Sequence, residues 1–349
     1  MSHRLTAFAH RHPRWFFVLF CVALTAILWG GLESIFYGLL RIRIVHESPG
    51  VTAWEGGDLI EPDPYLGFRP RPGATAHMRL ETSNAAIQEC VYTIDAHGRR
   101  VTPVDHPERR DKFALFFGCS FTFGEGVNDD ETLPAHFARA APAFMPYNYA
   151  FKAYGPQAMY LQVVEDTFGD DIAQRNGIAV YVFIDHQMHR AIGTASVSTT
   201  WGRDLPYLTL EGGRLVHHGN FQTGRPFTQW CYRALLRLPS VQYLRIDYPP
   251  VDRARNYRLV ATMIEESAAA LRRRFPGLRF FVVIYPKQEL GKRLWGYLAD
   301  VDVTFLDYSG LLADAPGSEA MYYYLDGHPT GKTQRIVAEQ LATDVVRTP

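Results

Sequence analysis

The run FALFFGCSFTFGEGV, Phe113 to Val127, decides how this chain is read. Phe113 to Phe117 has the length and aromatic content of a buried strand, and Gly118-Cys119-Ser120 breaks it at once. A serine is therefore expected at the carboxyl end of a strand, where open α/β sheets place their chemistry. Far downstream, YYYLDGHPTG puts Asp326 and His328 two residues apart, just before a helix-forming tail. Serine, histidine and carboxylate are the components of an activated hydroxyl nucleophile.

Working outward from this strand, strand and helix signals alternate. Glu131 to Ala141 and Gly155 to Phe168 read as helices around a short apolar segment, Tyr147 to Ala150. IAVYVFI, Ile178 to Ile184, is an unbroken apolar strand. A long variable region, Gly193 to about Asp247, carries turn signals and one helix near Thr228 to Leu238. Val260, Met263, Ile264, Ala268 and Leu271 recur at helical spacing, and Pro276-Gly277 ends that helix. Strands at Leu278 to Tyr285 and Val303 to Leu306 and a closing helix, Gly331 to Val346, complete the pattern. Unbroken apolar strands alternating with helices predict an α/β fold, a three-layer α/β/α sandwich on a mostly parallel sheet. Residues 41–110, rich in Pro, Gly and charge, read as a small β-rich extension or a plain linker. VYTIDAHGRRV within it suggests a β-hairpin.

GCSFTFGEGV, NYAFKAYGPQ, VFIDHQMHR and LDGHP occur in the order of the conserved blocks of the SGNH (GDSL-like) hydrolase superfamily, which this chain resembles from Phe113 to Val346. The resemblance implies a flavodoxin-like sheet, Ser120 as nucleophile, His328 as its base and Asp326 as the residue that orients the imidazole. It also implies an oxyanion hole made by the amide of Ser120 and one from the second block. There Asn148 opens the block, and the usual glycine position is Ala153, followed by Gly155. A backbone amide survives Gly to Ala provided φ is negative. The third block departs further, with Asp185-His186-Gln187 where the family has an asparagine. A carboxylate would repel an oxyanion, so Asp185 is expected to face elsewhere; His186 is the substitute donor and Gln187 the second choice. Cys119 replaces the family's aspartate; the motif register makes Ser120 the nucleophile, and nothing nearby in sequence would activate the thiol.

The rest of the sequence bounds the setting. Lys and Arg total 36 and Asp and Glu 36, with no basic run interleaved with aromatics, so no nucleic-acid partner is expected. Trp15 to Leu32 is an uncharged apolar stretch of 18 residues, near the lower limit for a bilayer-spanning helix. Arg4, Arg11 and Arg14 precede it; Glu33, Arg41, Arg43 and Glu47 follow. This bias predicts a cytoplasmic N-terminus (1–14), an uncleaved anchor (15–40) in the cytoplasmic membrane and an extracytoplasmic body, with 111–349 the catalytic domain. A cleaved signal peptide is the alternative, against which stand the long apolar run and the lack of an A-x-A site. Cys90 and Cys231 are free to pair in an exported compartment, and no Cys-x-x-Cys spacing exists for zinc. No cofactor or metal is expected: Pro329 to Thr333 lacks the first glycine of a phosphate loop, His186 and His189 lack a third ligand, and His217-His218 reads as a surface turn. The expected activity is an SGNH-type serine esterase or O-acyltransferase working on O-acyl groups of an extracytoplasmic glycan or on a small acyl ester. Trp201, Tyr207, Phe221 and Trp230 in the variable region suit a sugar. A catalytically degenerate glycan-binding or assembly subunit is the alternative.

Overall fold

The computed structural model describes residues 11–46, 52–82, 85–165 and 168–347. Arg4, Glu47 and the rest of 1–10, on which the charge reading partly rests, lie outside them. The chain forms two compact units, Met1–Ser48 with Trp230–Tyr248, and Pro49–Gln229 with Pro249–Pro349.

In the first unit a single helix, α1 (Pro13–His46), carries the apolar stretch and is long and apolar enough to cross a membrane. At 1.5 Å per residue its 34 residues extend about 51 Å, more than the roughly 30 Å hydrocarbon core requires.

The second unit opens with an extension of five strands. β1 (Thr52–Gly56), β4 (Thr75–Thr82) and β5 (Ala85–Thr93) form an antiparallel sheet in the order β1-β4-β5, and β2 (Ile60–Asp63) pairs with β3 (Gly67–Pro70). The expected hairpin in VYTIDAHGRRV is present in short form, with Asp95 N donating to Arg99 O, Val101 N donating to Thr93 O and one antiparallel bridge joining Ile94 to Arg100. The main partner of β5 is the upstream strand β4, because the alternating residues of 75–82 supply a longer register than the charged arm after Asp95. The region is a folded β-rich layer, and the linker alternative falls.

The main sheet has five parallel strands: β6 (Lys112–Phe117), β7 (Phe144–Asn148), β8 (Asn176–Phe183), β11 (Arg279–Ile284) and β12 (Thr304–Asp307), in the order β12-β11-β8-β6-β7. Numbered along the main domain that order is 2-1-3-4-5, the flavodoxin-like order, with its switch point between β6 and β8. Alternate residues of each strand serve opposite faces. Phe113, Leu115, Phe117, Tyr181 and Phe183 pack under helix α10 (Ala254–Arg274), whose Tyr257, Val260, Ile264 and Leu271 form its buried stripe. Ala114, Phe116, Val180 and Val182 pack under α3 (Leu133–Ala140) and α12 (Gly331–Arg347) through Phe137, Val337 and Leu341. These are the three layers.

The variable region holds an element the turn signals only hinted at, the hairpin β9 (Pro206–Glu211) and β10 (Arg214–Asn220), with Gly212 and Gly213 at its tip, both at positive φ. His217 and His218 lie in β10 rather than in a surface turn, and His218 Nε2 is 2.8 Å from Thr209 Oγ1 and 3.0 Å from Glu211 Oε1. Arg214-Leu215-Val216-His217-His218 shows no apolar–polar alternation, which hid this strand in the sequence.

Candidate active site

Ser120 opens a one-turn helix, α2 (Ser120–Phe123), directly after β6 at the switch point, and is 5% exposed. The tight exit from the strand depends on Gly118: its φ is 149°, and a Cβ there would fall 2.3 Å from Thr122 Oγ1 and 3.1 Å from Val182 O. Cys119 is fully buried within the apolar layer between the sheet, α3 and α12, so it packs as a small apolar side chain. Past α2 the chain reverses at Gly124, and Ser120 O accepts from the amides of Gly124 and Glu125, each at 2.9 Å.

That reversal is held from the β-rich extension. Arg100 is fully buried and reaches into the loop, where its guanidinium donates to Phe123 O at 2.9 Å, Gly124 O at 2.5 Å, Val127 O at 2.6 Å and Asp129 Oδ1 at 2.9 Å. The Tyr92 hydroxyl accepts from Gly126 N at 2.9 Å, and Asn128 and Asp129 accept from Val91 N and Thr93 N. From the opposite side Gln334 of α12 donates to Phe121 O at 2.7 Å. A buried arginine survives only when its donors and charge are met, and this one is met by the loop that follows Ser120.

His328 and Asp326 sit in a turn just before α12. Tyr324 N donates to His328 O at 2.8 Å, Gly327 takes φ 85°, and His328 N donates to Asp326 Oδ1 at 3.0 Å. The side chains then form one line: Asp326 Oδ2 to His328 Nδ1 at 2.9 Å, and His328 Nε2 to Ser120 Oγ at 3.0 Å. The Phe121 ring, 5.7 Å from the imidazole centroid, covers one side. With Nδ1–H donated to Asp326, Nε2 presents its lone pair to the serine hydroxyl. Burial alone would lower the His328 pKa, but the Asp326 hydrogen bond and the charges of Glu125 and Asp326 outweigh it and raise the pKa above its ordinary value. Burial pushes Asp326 upward, and its hydrogen bonds and attraction to His328 bring it below the ordinary carboxylate value.

The structure adds a residue that the sequence reading passed over. Glu125 Oε2 lies 3.4 Å from His328 Nε2, on the same nitrogen that faces Ser120. Its side chain is 21% exposed, and burial raises its pKa, with Asp326 adding to the rise and His328, Arg190 and Arg100 opposing it. The imidazole is thus flanked by a carboxylate at each nitrogen. The only signal in sequence was an acidic residue between two glycines, five positions after the serine, inside a motif already explained by its turn.

Ala153 has φ 63°, so the condition for a harmless replacement of glycine, a negative φ, is not met. The block nevertheless keeps its conformation because Asn148 Oδ1 accepts from Ala150 N and Arg190 donates to Tyr154 O at 2.9 Å. Gly155 is required where it stands, since a Cβ would lie 2.6 Å from the buried Oε1 of Gln157 and 3.3 Å from Arg190 Cβ. In the third block, Asp185 turns away, as its charge predicted: its carboxylate accepts from Glu289 N and Leu290 N at 2.8 Å and Gly291 N at 3.3 Å, capping helix α11 (Leu290–Leu298). Gln187 is buried and committed, donating to Val182 O at 3.0 Å and accepting from the Tyr181 hydroxyl. His186 is exposed, its ring stacked on His189 at 5.2 Å and Trp201 at 6.3 Å between centroids. The hydrogen bonds that join Ser120, His328 and Asp326 involve none of these three side chains.

All four cysteines are free, so Cys90 and Cys231 are unbridged, and Cys90 is buried in the core of the extension. Among the described residues no group of His, Cys, Asp and Glu has the arrangement of a metal site.

No protein-family model matches the chain, and no curated protein sequence does. Among solved structures it is similar to a lipolytic protein of the G-D-S-L family from Veillonella parvula, at 11% identity over 68% of this chain and 100% of that one, with a TM-score of 0.40. It is also similar to an acetyl xylan esterase from Butyrivibrio proteoclasticus, at 11% identity over 86% and 88% of the two chains and a TM-score of 0.42. A family two carbohydrate esterase from Clostridium thermocellum gives 12% identity over 80% and 76%, with a TM-score of 0.38. At these identities and scores function is argued from the site's own geometry. In the order of its sequence blocks and in a serine leaving the first strand of a 2-1-3-4-5 sheet, the chain resembles the SGNH hydrolases.

Proposed function

We propose that this protein is a serine-dependent acyl-ester hydrolase or O-acyltransferase that acts on O-acyl groups, acetyl first among them, of an extracytoplasmic glycan, held at the membrane by α1. The unbroken line Asp326–His328–Ser120 carries the reading. Ser120 Oγ attacks the acyl carbonyl while His328 Nε2 takes its proton, and Asp326 stabilises the imidazolium. The oxyanion is assigned to the backbone amides of Ser120 and Ala153, with Gly155 adjoining. The alcohol leaves with the proton from Nε2, and water or a sugar hydroxyl then attacks the acyl-serine by the reverse route. Glu125 faces Nε2 at the moment that nitrogen is protonated, so its carboxylate favours the charged imidazole over the neutral one.

A sugar substrate is supported by a cleft of about 660 Å³ whose wall includes Ala153, Lys152, Tyr65, Phe68, Trp201 and Asn220. Tyr65 and Trp201 are exposed aromatic side chains, the residue type that stacks on pyranose rings. Of the aromatics that sequence pointed to, only Trp201 lines this cleft: Phe221 is fully buried, Tyr207 packs on it, and Trp230 belongs to the other compact unit.

The competing reading, a degenerate glycan-binding or assembly subunit, draws on the commitments of Asp185 and Gln187 elsewhere. The test is the full chain in detergent or nanodiscs, given p-nitrophenyl acetate and a serine-reactive fluorophosphonate. Ser120 is expected to be labelled, and Ser120→Ala to lose turnover by on the order of a millionfold, the scale seen when a triad serine is removed. Absence of labelling, with turnover equal to that of Ser120→Ala, would establish the degenerate reading. An acetyl donor with an acetyl-acceptor oligosaccharide, followed by mass, then separates transfer from hydrolysis.

A further inference from the structure

The first compact unit holds more than a helix. Alongside α1 lies a second segment of the same unit, residues 230–248, containing the end of α8 (Pro226–Leu235) and the short helix α9 (Pro239–Tyr243). It is fastened to α1 at two levels. Glu33 accepts from Ser240 N at 3.0 Å and from Ser240 Oγ at 2.6 Å, meeting the orphan donors at the start of α9. Arg43 donates to Tyr243 O at 2.9 Å, meeting an orphan acceptor at its end, and Phe36 packs on the Tyr243 ring at 5.6 Å.

The level of these fastenings follows from helix geometry. The uncharged stretch Trp15 to Leu32 has 18 residues, about 27 Å of helix, close to the thickness of a hydrocarbon core. Glu33 is the first charge beyond it. Phe36, on which the Tyr243 ring packs, follows Glu33 by three residues, about 4.5 Å of helix, so α9 lies beside the first turn of α1 beyond the hydrocarbon. The headgroup layer occupies about the first 5–8 Å beyond the hydrocarbon. On the segment so placed, Trp230 is 65% exposed, Leu244 54% and Ile246 47%. The charged residues of the two stretches 33–43 and 230–248 are Arg41, Arg43, Arg233, Arg237 and Arg245 against Glu33 and Asp247, a basic excess. Exposed apolar and aromatic side chains together with arginines are the composition of a membrane interface.

We propose that residues 230–248 are a second membrane-contacting element, docked on the juxtamembrane part of α1 so that Trp230, Leu244 and Ile246 enter the headgroup–acyl boundary and the arginines meet lipid phosphates. Its occupant is the bilayer surface, enriched in anionic headgroups. The inference rests on the reading that α1 spans the membrane. It also gives α1 a reason to remain in the mature protein, since cleavage would strip both ends of α9 of their partners.

The full chain is reconstituted in vesicles of phosphatidylcholine and phosphatidylglycerol that carry a lipid with a photoactivatable group near the headgroup–acyl boundary, and adducts are mapped by mass spectrometry. Adducts are expected on α1 and on the peptides holding Trp230, Leu244 and Ile246. Leu244→Glu with Ile246→Glu should lose the second set and keep the first, and Glu33→Ala should weaken the second set by releasing α9. Adducts on α1 with none on 230–248 in the unaltered chain would overturn the inference and leave the anchor intact. An α1 without adducts would overturn the anchor reading, and the inference with it.

Discussion

The loop after Ser120 and the third block lie at the carboxyl ends of neighbouring strands, β6 and β8, and they are secured in opposite ways. The loop after Ser120 is gripped by residues outside it, Arg100 and Tyr92 of the extension and Gln334 of α12, each reaching main-chain atoms of 121–126. The third block is held by its own side chains turned outward and inward: Asp185 caps α11, and Gln187 closes on Val182 and Tyr181. In the first case distant residues are spent on fixing backbone that carries chemistry. In the second, residues at the chemical position are spent on fixing the scaffold. The contrast explains why the Asp326–His328–Ser120 line is unbroken while the side chains of Asp185 and Gln187 are committed elsewhere.

The sharpest way to break the contrast is Arg100→Met. Removing a buried charge that meets Asp129 and four carbonyls is expected to cost about 3–5 kcal/mol in denaturant unfolding, with turnover falling more than folding alone explains in the protein that remains folded. Turnover unchanged in the folded fraction would mean that the loop holds itself.

Next in size is the pH profile. His328 must be neutral to take the serine proton, so kcat/KM rises as pH climbs through its pKa, which lies above the ordinary value. Facing it are Asp326 and Glu125, which raise that pKa, and Arg190, which lowers it. Glu125→Gln removes one raising charge, so the acid limb is expected to move to lower pH and the plateau rate to drop as imidazolium stabilisation is lost. An acid limb that stays in place would separate Glu125 from the imidazole.

The third block supplies a smaller, opposite test. Asp185→Asn restores the family's side-chain type, yet the structure turns that side chain to α11, so turnover should stay level while stability falls by up to about 1 kcal/mol for a weakened cap. A marked change in kcat would place residue 185 at the oxyanion. Smallest is Ala153→Gly, which relieves the strain of φ 63° and is expected to raise stability by up to about 1 kcal/mol, less the entropy glycine adds to the unfolded chain, as read from the thermal midpoint.

Much of this was legible in the residues. The strands 113–117, 178–184 and 278–285 were visible because a sheet covered on both faces demands unbroken apolar runs, and the helix 254–274 because it buries one stripe. Ser120, Asp326 and His328 could be singled out because a serine nucleophile would need a base and that base an orienting group, and the structure joins the three in one line. Glu125 was not, since its role depends on a turn that folds it back over a histidine more than two hundred residues away. The sign of φ at Ala153 was not, because a methyl group says nothing of the backbone that its neighbours impose. Arg100 was hidden too, in a stretch whose Pro, Gly and charge resemble a linker, although its charge is spent inside the protein.

Arg100 also bears on how the gene for this chain can be cut or recombined. A fragment beginning after residue 110 would retain every strand of the parallel sheet and all three residues of the Ser–His–Asp line, and by sequence blocks it would be counted a whole enzyme. It would also lack the guanidinium that closes the loop from Phe123 to Val127. The extension and the loop after Ser120 are therefore a single inheritable piece, and a chimera that exchanges one without the other is expected to fold its sheet and lose the placement of Ser120.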